Sequence, residues 1–238
     1  METNSRQQFL PNEPNILSYQ SQFQRQINIL SALQTLWKNE KFSSDLLPYK
    51  EQIISQIINI IESREKEINT NPKKLDKETL DIMELDLQRI KFIIKDYLRI
   101  RLFKIEKYLF YIIKNELLNL LSQNEIKFAS DLIHMKANYF NDALIRIHPA
   151  VNNFHSFKDK FKNMKEKIAG LTDNMIVAPK RHSYVIAESI TRENIVLNMK
   201  DIYSDYDKDF IVLEKGDAAV VPYDLIKEYI TNNKVQLI

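Results

Sequence analysis

The sequence predicts a mainly α-helical chain, with an N-terminal helical bundle domain over residues 16–147 and a small β-rich C-terminal domain over residues 179–238. Three observations carry this. Apolar residues recur at steps of three and four as far as Ile147, the spacing of one helix face. After Pro179 the apolar period falls to two, the spacing of a half-buried strand. The 238 residues include only 2 glycines and no cysteine, where average usage near 7% would give about 17 glycines, so the helical half has almost no conformational breaks.

Residues 1–15, with Pro11 and Pro14 among Asn, Gln and Ser, read as a flexible tail. From Ile16 the spacing of Phe23, Ile27, Leu30, Leu33 and Trp37 predicts an amphipathic helix of about 20 residues. Pro48 interrupts the chain. Ile53, Ile54, Ile57, Ile58 and Ile61 mark a second helix that stops near Asn69–Asn71, before Pro72. Asp76, Thr79, Leu80, Met83 and Leu87 open a third, which meets no Gly or Pro before about Leu121. Asn124 to Ile147 reads as a fourth, with Ile126, Ala129, Ile133, Ala137, Phe140 and Leu144 on one side.

Residues 148–178, rich in Asn and Lys, read as a linker. Beyond it, Tyr184–Ala187 and Ile195–Leu197 are predicted strands. Phe210–Leu213 and Ala218–Val221 flank Glu214-Lys215-Gly216-Asp217, which reads as a hairpin turn with Gly216 at a positive φ. Pro222 to Ile230 is a predicted short helix and Val235 to Ile238 a closing strand.

The third helix is the most informative. At about 100° per residue, Ile100, Leu102, Phe103 and Ile105 point to several sides, with Arg101, Lys104, Glu106 and Lys107 between them. A surface helix of a monomer shows one apolar stripe. This helix is expected to be covered from several sides, either as the central helix of a monomeric bundle or with a partner chain covering what its own bundle leaves open. From Arg89 to Lys107 it also carries seven basic residues (Arg89, Lys91, Lys95, Arg99, Arg101, Lys104, Lys107) against Asp96 and Glu106. A groove-reading helix keeps its cations on one solvent-facing side; these are scattered, which favours ion pairing within or between chains. Arg99 and Arg101 are the candidates for buried pairs, since a guanidinium suits bidentate partners.

Chemistry is mostly excluded. Gly170 and Gly216 are too far apart for a phosphate-cradling loop, and no Gly-x-Ser-x-Gly elbow exists. Without cysteine there is no disulfide, thiolate metal site or Cys nucleophile. Asp205-x-Asp207-x-Asp209 begins like a calcium loop, but Phe210 and Gly216 stand where Gly and Glu are required. His134, His148, His155 and His182 lack metal-ligand spacing. No catalytic, cofactor or metal site is expected, and no enzyme activity. The polar start, Met1 to Gln8, and the lack of an apolar run of about 18 residues argue against a signal peptide and a membrane span. Formal charge is +2 overall: 21 Lys/Arg against 19 Asp/Glu in residues 1–147, 5 against 3 in 148–178, and 8 against 10 in 179–238. No segment is as basic as a dedicated nucleic-acid binder.

Four stretches together resemble one family. They are Leu36-Trp37-Lys38-Asn39-Glu40-Lys41-Phe42 followed by Asp45-Leu46-Leu47-Pro48-Tyr49-Lys50; Tyr97 to Tyr108; Ser183-Tyr184-Val185 after Pro179-Lys180; and Phe210 to Asp217 with the terminal Val235-Gln236-Leu237-Ile238. From about residue 20 to the end, the chain is similar to the Sld-five-type subunits of the GINS complex of eukaryotic DNA replication. The family usually has Gly before its last strand. Here Asn232-Asn233-Lys234 stands there, and Asn also tolerates a left-handed turn.

The resemblance implies a non-enzymatic scaffold in the nucleus. It would be one of four related chains of a heterotetramer, so its first partners would be three related GINS subunits. With the MCM motor ring and a RecJ-like partner these form the replicative CMG helicase, connected indirectly to a leading-strand polymerase. DNA contact would be weak at most, with no membrane contact. On this resemblance Trp37, Leu46, Leu47 and Pro48 would fix the first helix against the second. Tyr97, Arg99, Arg101, Leu102, Lys104, Ile105, Glu106 and Tyr108 would form the central bundle and partly face a sister subunit. Val235, Leu237 and Ile238 would close the small domain, which helps hold the tetramer together. Two alternatives stay open: a nucleic-acid-binding module using the third helix and Lys158 to Lys167, and a helical scaffold outside replication.

Overall fold

The computed structural model describes residues 16–70, 76–147, 176–198 and 210–238. The expected tail over 1–15, all but residues 176–178 of the expected linker, and the Asp205 to Asp209 motif lie outside the described residues. The helical half runs α1 (Ile16–Phe42), α2 (Glu51–Thr70), α3 (Lys77–Lys114), a 3-10 turn (Leu117–Leu120) and α4 (Gln123–Ile147). The other half runs β1 (Tyr184–Ser189), β2 (Ile195–Asn198), β3 (Phe210–Leu213), β4 (Ala218–Pro222), α5 (Tyr223–Thr231) and β5 (Val235–Leu237).

α3 is the spine of the helical half. Its first part packs on α1 and α2 through Leu33, Ile54, Ile57, Ile94 and Tyr97. Its last part packs on α4 through Ile105, Leu109, Ile112, Ala129, Leu132 and Ile133. The face expected on α1 is therefore only partly inside: Leu33 is buried and Ile27 exposed.

The third helix ends earlier than expected. It stops at Lys114, and Glu116 takes a left-handed conformation (φ 55) with its N–H donated to the Ile113 carbonyl. Glycine normally fills such a position, so its absence gave no stop signal. Within the helix the backbone leaves helical geometry at Tyr108 (φ −105, ψ 18).

The expected hairpin around Gly216 is also corrected. β3 pairs antiparallel with β2 (Ile195 opposite Leu213, Leu197 opposite Ile211). β4 pairs antiparallel with β1 (Ile186 opposite Val220), and β1 with β5 (Ala187 opposite Leu237). The turn thus links a two-stranded sheet to a three-stranded sheet of order β4-β1-β5. Gly216 does have positive φ (+88), and its N–H is donated to the Ser189 carbonyl at 2.8 Å, which seats the turn on the end of β1. Period-two patterning identifies strands but not their partners.

Inside the small domain, Leu197, Leu213, Val221, Tyr223, Ile226, Ile230, Val235 and Leu237 form one core. α5 ends in a left-handed residue at Asn233 (φ 56), with Asn233 N–H on the Ile230 carbonyl and Lys234 N–H on that of Tyr229. That pair of bonds is a Schellman ending, with asparagine in the glycine position.

Candidate functional site

The segment from Asn39 to Lys50 joins α1 to α2 and touches nearly everything. Leu46 and Leu47 are adjacent in a stretch that is neither helix nor strand. Leu46 enters the α3–α4 core and Leu47 the core of the small domain. The expectation that both fix the first helix against the second is corrected: the two neighbours serve two different cores. Pro48 is half-buried beside them. Trp37 does pack among α1, α2 and α3, and its indole N–H donates to Asp96 Oδ2 at 2.7 Å.

Beneath this segment lies a cluster of buried charges. Arg101 has no solvent exposure. Its five N–H donors meet five acceptors: Glu125 Oε1 (2.7 Å) and Oε2 (3.1 Å), Glu40 Oε2 (3.1 Å), and the carbonyls of Leu47 (2.6 Å) and Leu120 (2.9 Å). The rings of Tyr49 and Tyr97 lie 5.3 and 5.7 Å from the guanidinium carbon. Lys104 Nζ donates to Glu40 Oε1 (2.9 Å), Ser43 Oγ (2.7 Å) and the carbonyls of Asp45 and Glu40.

Two cations thus face two carboxylates, which is what keeps buried charge tolerable. Burial opposes the charge on Arg101, but the hydrogen bond to Glu125 and the charge of Glu40 outweigh it and raise its pKa. Burial pulls Lys104 below its ordinary 10.5, and Glu40 offsets part of that.

Glu125 has a second role. Ser122 N–H donates to its carboxylate at 2.8 Å, and its own N–H reaches Ser122 Oγ at 3.3 Å. This capping box starts α4, so one carboxylate both begins a helix and clamps Arg101. The Ser122-x-x-Glu125 spacing was a readable signal for it; Glu40 and Glu125 are functional residues that the candidate set lacked.

The same segment holds the small domain. Asp45 accepts from Arg181 Nε (3.0 Å) and from Lys227 Nζ on α5. Arg181 also donates to Tyr111 Oη at 2.8 Å. Asn39 Oδ1 accepts the Leu237 N–H of β5 at 2.7 Å in a buried contact. Ser44 and Ser183 hydroxyls meet at 2.6 Å.

The remaining candidates divide. Tyr97, Lys104, Ile105 and Tyr108 are buried within the chain, as are Val235 and Leu237. Arg99, Leu102 and Glu106 are exposed, and Ile238 is 45% exposed with its N–H on the Ile186 carbonyl. The expectation of a buried pair for Arg99 is corrected: it is exposed on α3, and the buried carboxylates Glu40 and Glu125 pair with Arg101 and Lys104 instead. Of the seven basic residues from Arg89 to Lys107, four are ion-paired inside the chain: Arg89 with Asp86, Lys91 with Glu65, Arg101 and Lys104. Sequence reasoning missed Ile82, Leu85 and Phe92, large apolar side chains that are each more than half exposed on α3.

Among the described residues no three His, Asp or Glu side chains are grouped to hold a metal ion, and no helix is long and apolar enough to cross a membrane. The polar residues of the junction satisfy one another. Fold and site together place a helical half, with α3 as its spine, against a β-rich half docked on the segment from Asn39 to Lys50.

Comparison with known proteins agrees. The family described as Sld5, GINS complex protein helical bundle domain, matches residues 52–144. The DNA replication complex GINS protein sld5 of Schizosaccharomyces pombe is 28% identical, covering 86% of this chain and 89% of its own. Its counterparts from Arabidopsis thaliana and Homo sapiens are each 26% identical, covering 87% and 88% of this chain and 89% of their own. The chain is thus similar to the Sld5-type GINS proteins over most of its length.

Proposed function

We propose that the protein is a non-enzymatic subunit of the heterotetrameric GINS complex, a scaffold in the replicative CMG helicase required for replication initiation and fork progression. The observation that carries this is the first half of α3. Ile82, Leu85 and Phe92 are 61%, 56% and 61% exposed, and steps of three and seven set them along one side of the helix. Each large apolar side chain left in water forfeits about 1.5–3 kcal/mol of burial. A sister chain laid along this stripe removes that exposure, and similarity to the Sld5-type GINS proteins supports such an assembly.

The first partners are then three related GINS subunits. The MCM ring, a RecJ-like partner and, indirectly, a replicative polymerase follow as the larger assembly, with the nucleus as its compartment. Direct DNA contact is a minor element, because four of the seven cations from Arg89 to Lys107 are already paired within the chain.

Phe92→Asp tests the proposal, since Phe92 belongs to none of the buried clusters. The variant keeps its helical circular-dichroism spectrum and loses co-purification with the three sister subunits. Unchanged assembly would remove the stripe as an interface.

A further inference from the structure

A second exposed feature of α3 has a different chemistry. Past Tyr97, spacing i, i+1, i+4, i+8 aligns Arg99, Ile100, Phe103 and Lys107 on one face. This face and the end of α1 enclose an open groove of ≈ 460 Å³. Ile100, Phe103 and Tyr108 form its apolar floor, and Phe103 is 62% exposed. Lys41, Arg99 and Lys107 form the rim.

No carboxylate lines the groove. The one buried cation in its wall, Lys104, is turned to Glu40, while the three rim cations have no ion pair among the described residues. Two of them are held in place: Lys41 Nζ lies 4.9 Å from the Trp37 ring centre, and Lys107 Nζ 5.2 Å from that of Tyr108. Arg99 offers a planar fork suited to a carboxylate.

We infer that this groove is a docking site for an acidic peptide segment of a partner protein, bound by one apolar or aromatic anchor on Phe103 and by carboxylates on Lys41, Arg99 and Lys107. Three cations around an apolar floor, two of them held against aromatic rings, complement such a segment in both charge and polarity. A nucleic-acid strand would meet the same cations, but the groove offers it one exposed ring, Phe103, where a strand is held by stacking successive bases on several. The inference is independent of the sister-subunit interface on the first half of α3.

The test uses the full chain, free and within its reconstituted complex, and a fluorescein-labelled hexapeptide Asp-Glu-Phe-Asp-Asp-Leu followed by fluorescence anisotropy. Binding should occur in both states and weaken as salt rises. Phe103→Ala and the double change Arg99→Gln with Lys107→Gln should each weaken it about tenfold; all three positions are exposed, and an unchanged circular-dichroism spectrum establishes folding. Absent binding, or binding indifferent to both variants, overturns the inference. Binding to the free chain alone overturns it too, and assigns the groove to a sister subunit. Displacement of the peptide by a dT oligonucleotide that depends on the same residues overturns it in favour of nucleic acid.

Discussion

Asn39 and Leu237 lie 198 positions apart, yet the side-chain carbonyl of the first accepts the main-chain N–H of the second at 2.7 Å in a buried contact. One amide from the end of α1 thereby satisfies a donor of the last strand. Changing Asn39 to Ala leaves that N–H without a partner, at a cost of about 1–3 kcal/mol. The expected result is a lower midpoint in urea for the near-ultraviolet signal of the small domain, with the helical signal less affected. Equal midpoints for both signals would show that the contact does not hold the domains together.

Asp45 is the ionic counterpart of that contact, because Arg181 and Lys227 converge on it from two parts of the small domain. Both cations are about a third exposed, so their attraction is screened in part. Asp45→Asn should therefore lower stability by about 1 kcal/mol at low salt, with a smaller difference at high salt. A difference independent of salt would assign the effect to packing.

Arg101 calls for a larger effect. Replacing it with Leu leaves Glu125 without its cation and Glu40 with Lys104 alone, and breaking a buried pair from one side costs about 3–5 kcal/mol. Adding Glu125→Gln to Arg101→Leu should cost less than Glu125→Gln does alone, since the second change then removes an unpaired charge. Simple additivity in denaturant titrations would show that the two groups are not coupled.

The alkaline limit of stability follows from buried phenols. Burial raises Tyr97 and Tyr223 well above the ordinary 10.0, and raises Tyr49 as well; around Tyr223 the carboxylates of Asp45 and Glu40 add to the shift. Their folded-state pKa values are raised, so their stabilisation is complete below pH 10 and falls away as pH climbs toward the raised values. Lys104, lowered by burial, acts in the opposite sense, but it is one group against three.

Thermal melts should show stability falling above pH 10. Tyr223→Phe should lessen that fall. At neutral pH the change should be neutral or stabilising, because the Tyr223 hydroxyl is buried without a hydrogen-bond partner among the described residues. Destabilisation at pH 7 would reveal a partner for it.

Much of this architecture was legible in residue spacing. The helical faces around Leu33, Ile57 and Ile133, the strands of the small domain, and the left-handed turn at Asn233 all follow from local pattern. What escaped was set by distant contacts. Nothing in Phe210–Leu213 and Ala218–Val221 announces that they serve different sheets. Nothing in Leu46-Leu47 tells which leucine enters which core. Arg99 and Arg101 look alike in sequence, and only the side of α3 that faces Glu40 and Glu125 separates the buried one from the solvated one. The Ser122–Glu125 box was visible, but its link to Arg101 needed the fold.

Leu47 and Asp45 also bear on how the chain emerges from the ribosome. Asp45 precedes its partner Lys227 by 182 positions; at synthesis rates of about 5–20 residues per second, that separation corresponds to roughly 10–40 s. Throughout that interval the nascent helical half carries an apolar side chain and a carboxylate whose binding surfaces have not yet been made. The later segments, α5 and β5, close the molecule onto the earlier one, so a ribosome that stops short of β5 releases a chain with its central seam open to chaperones and proteases.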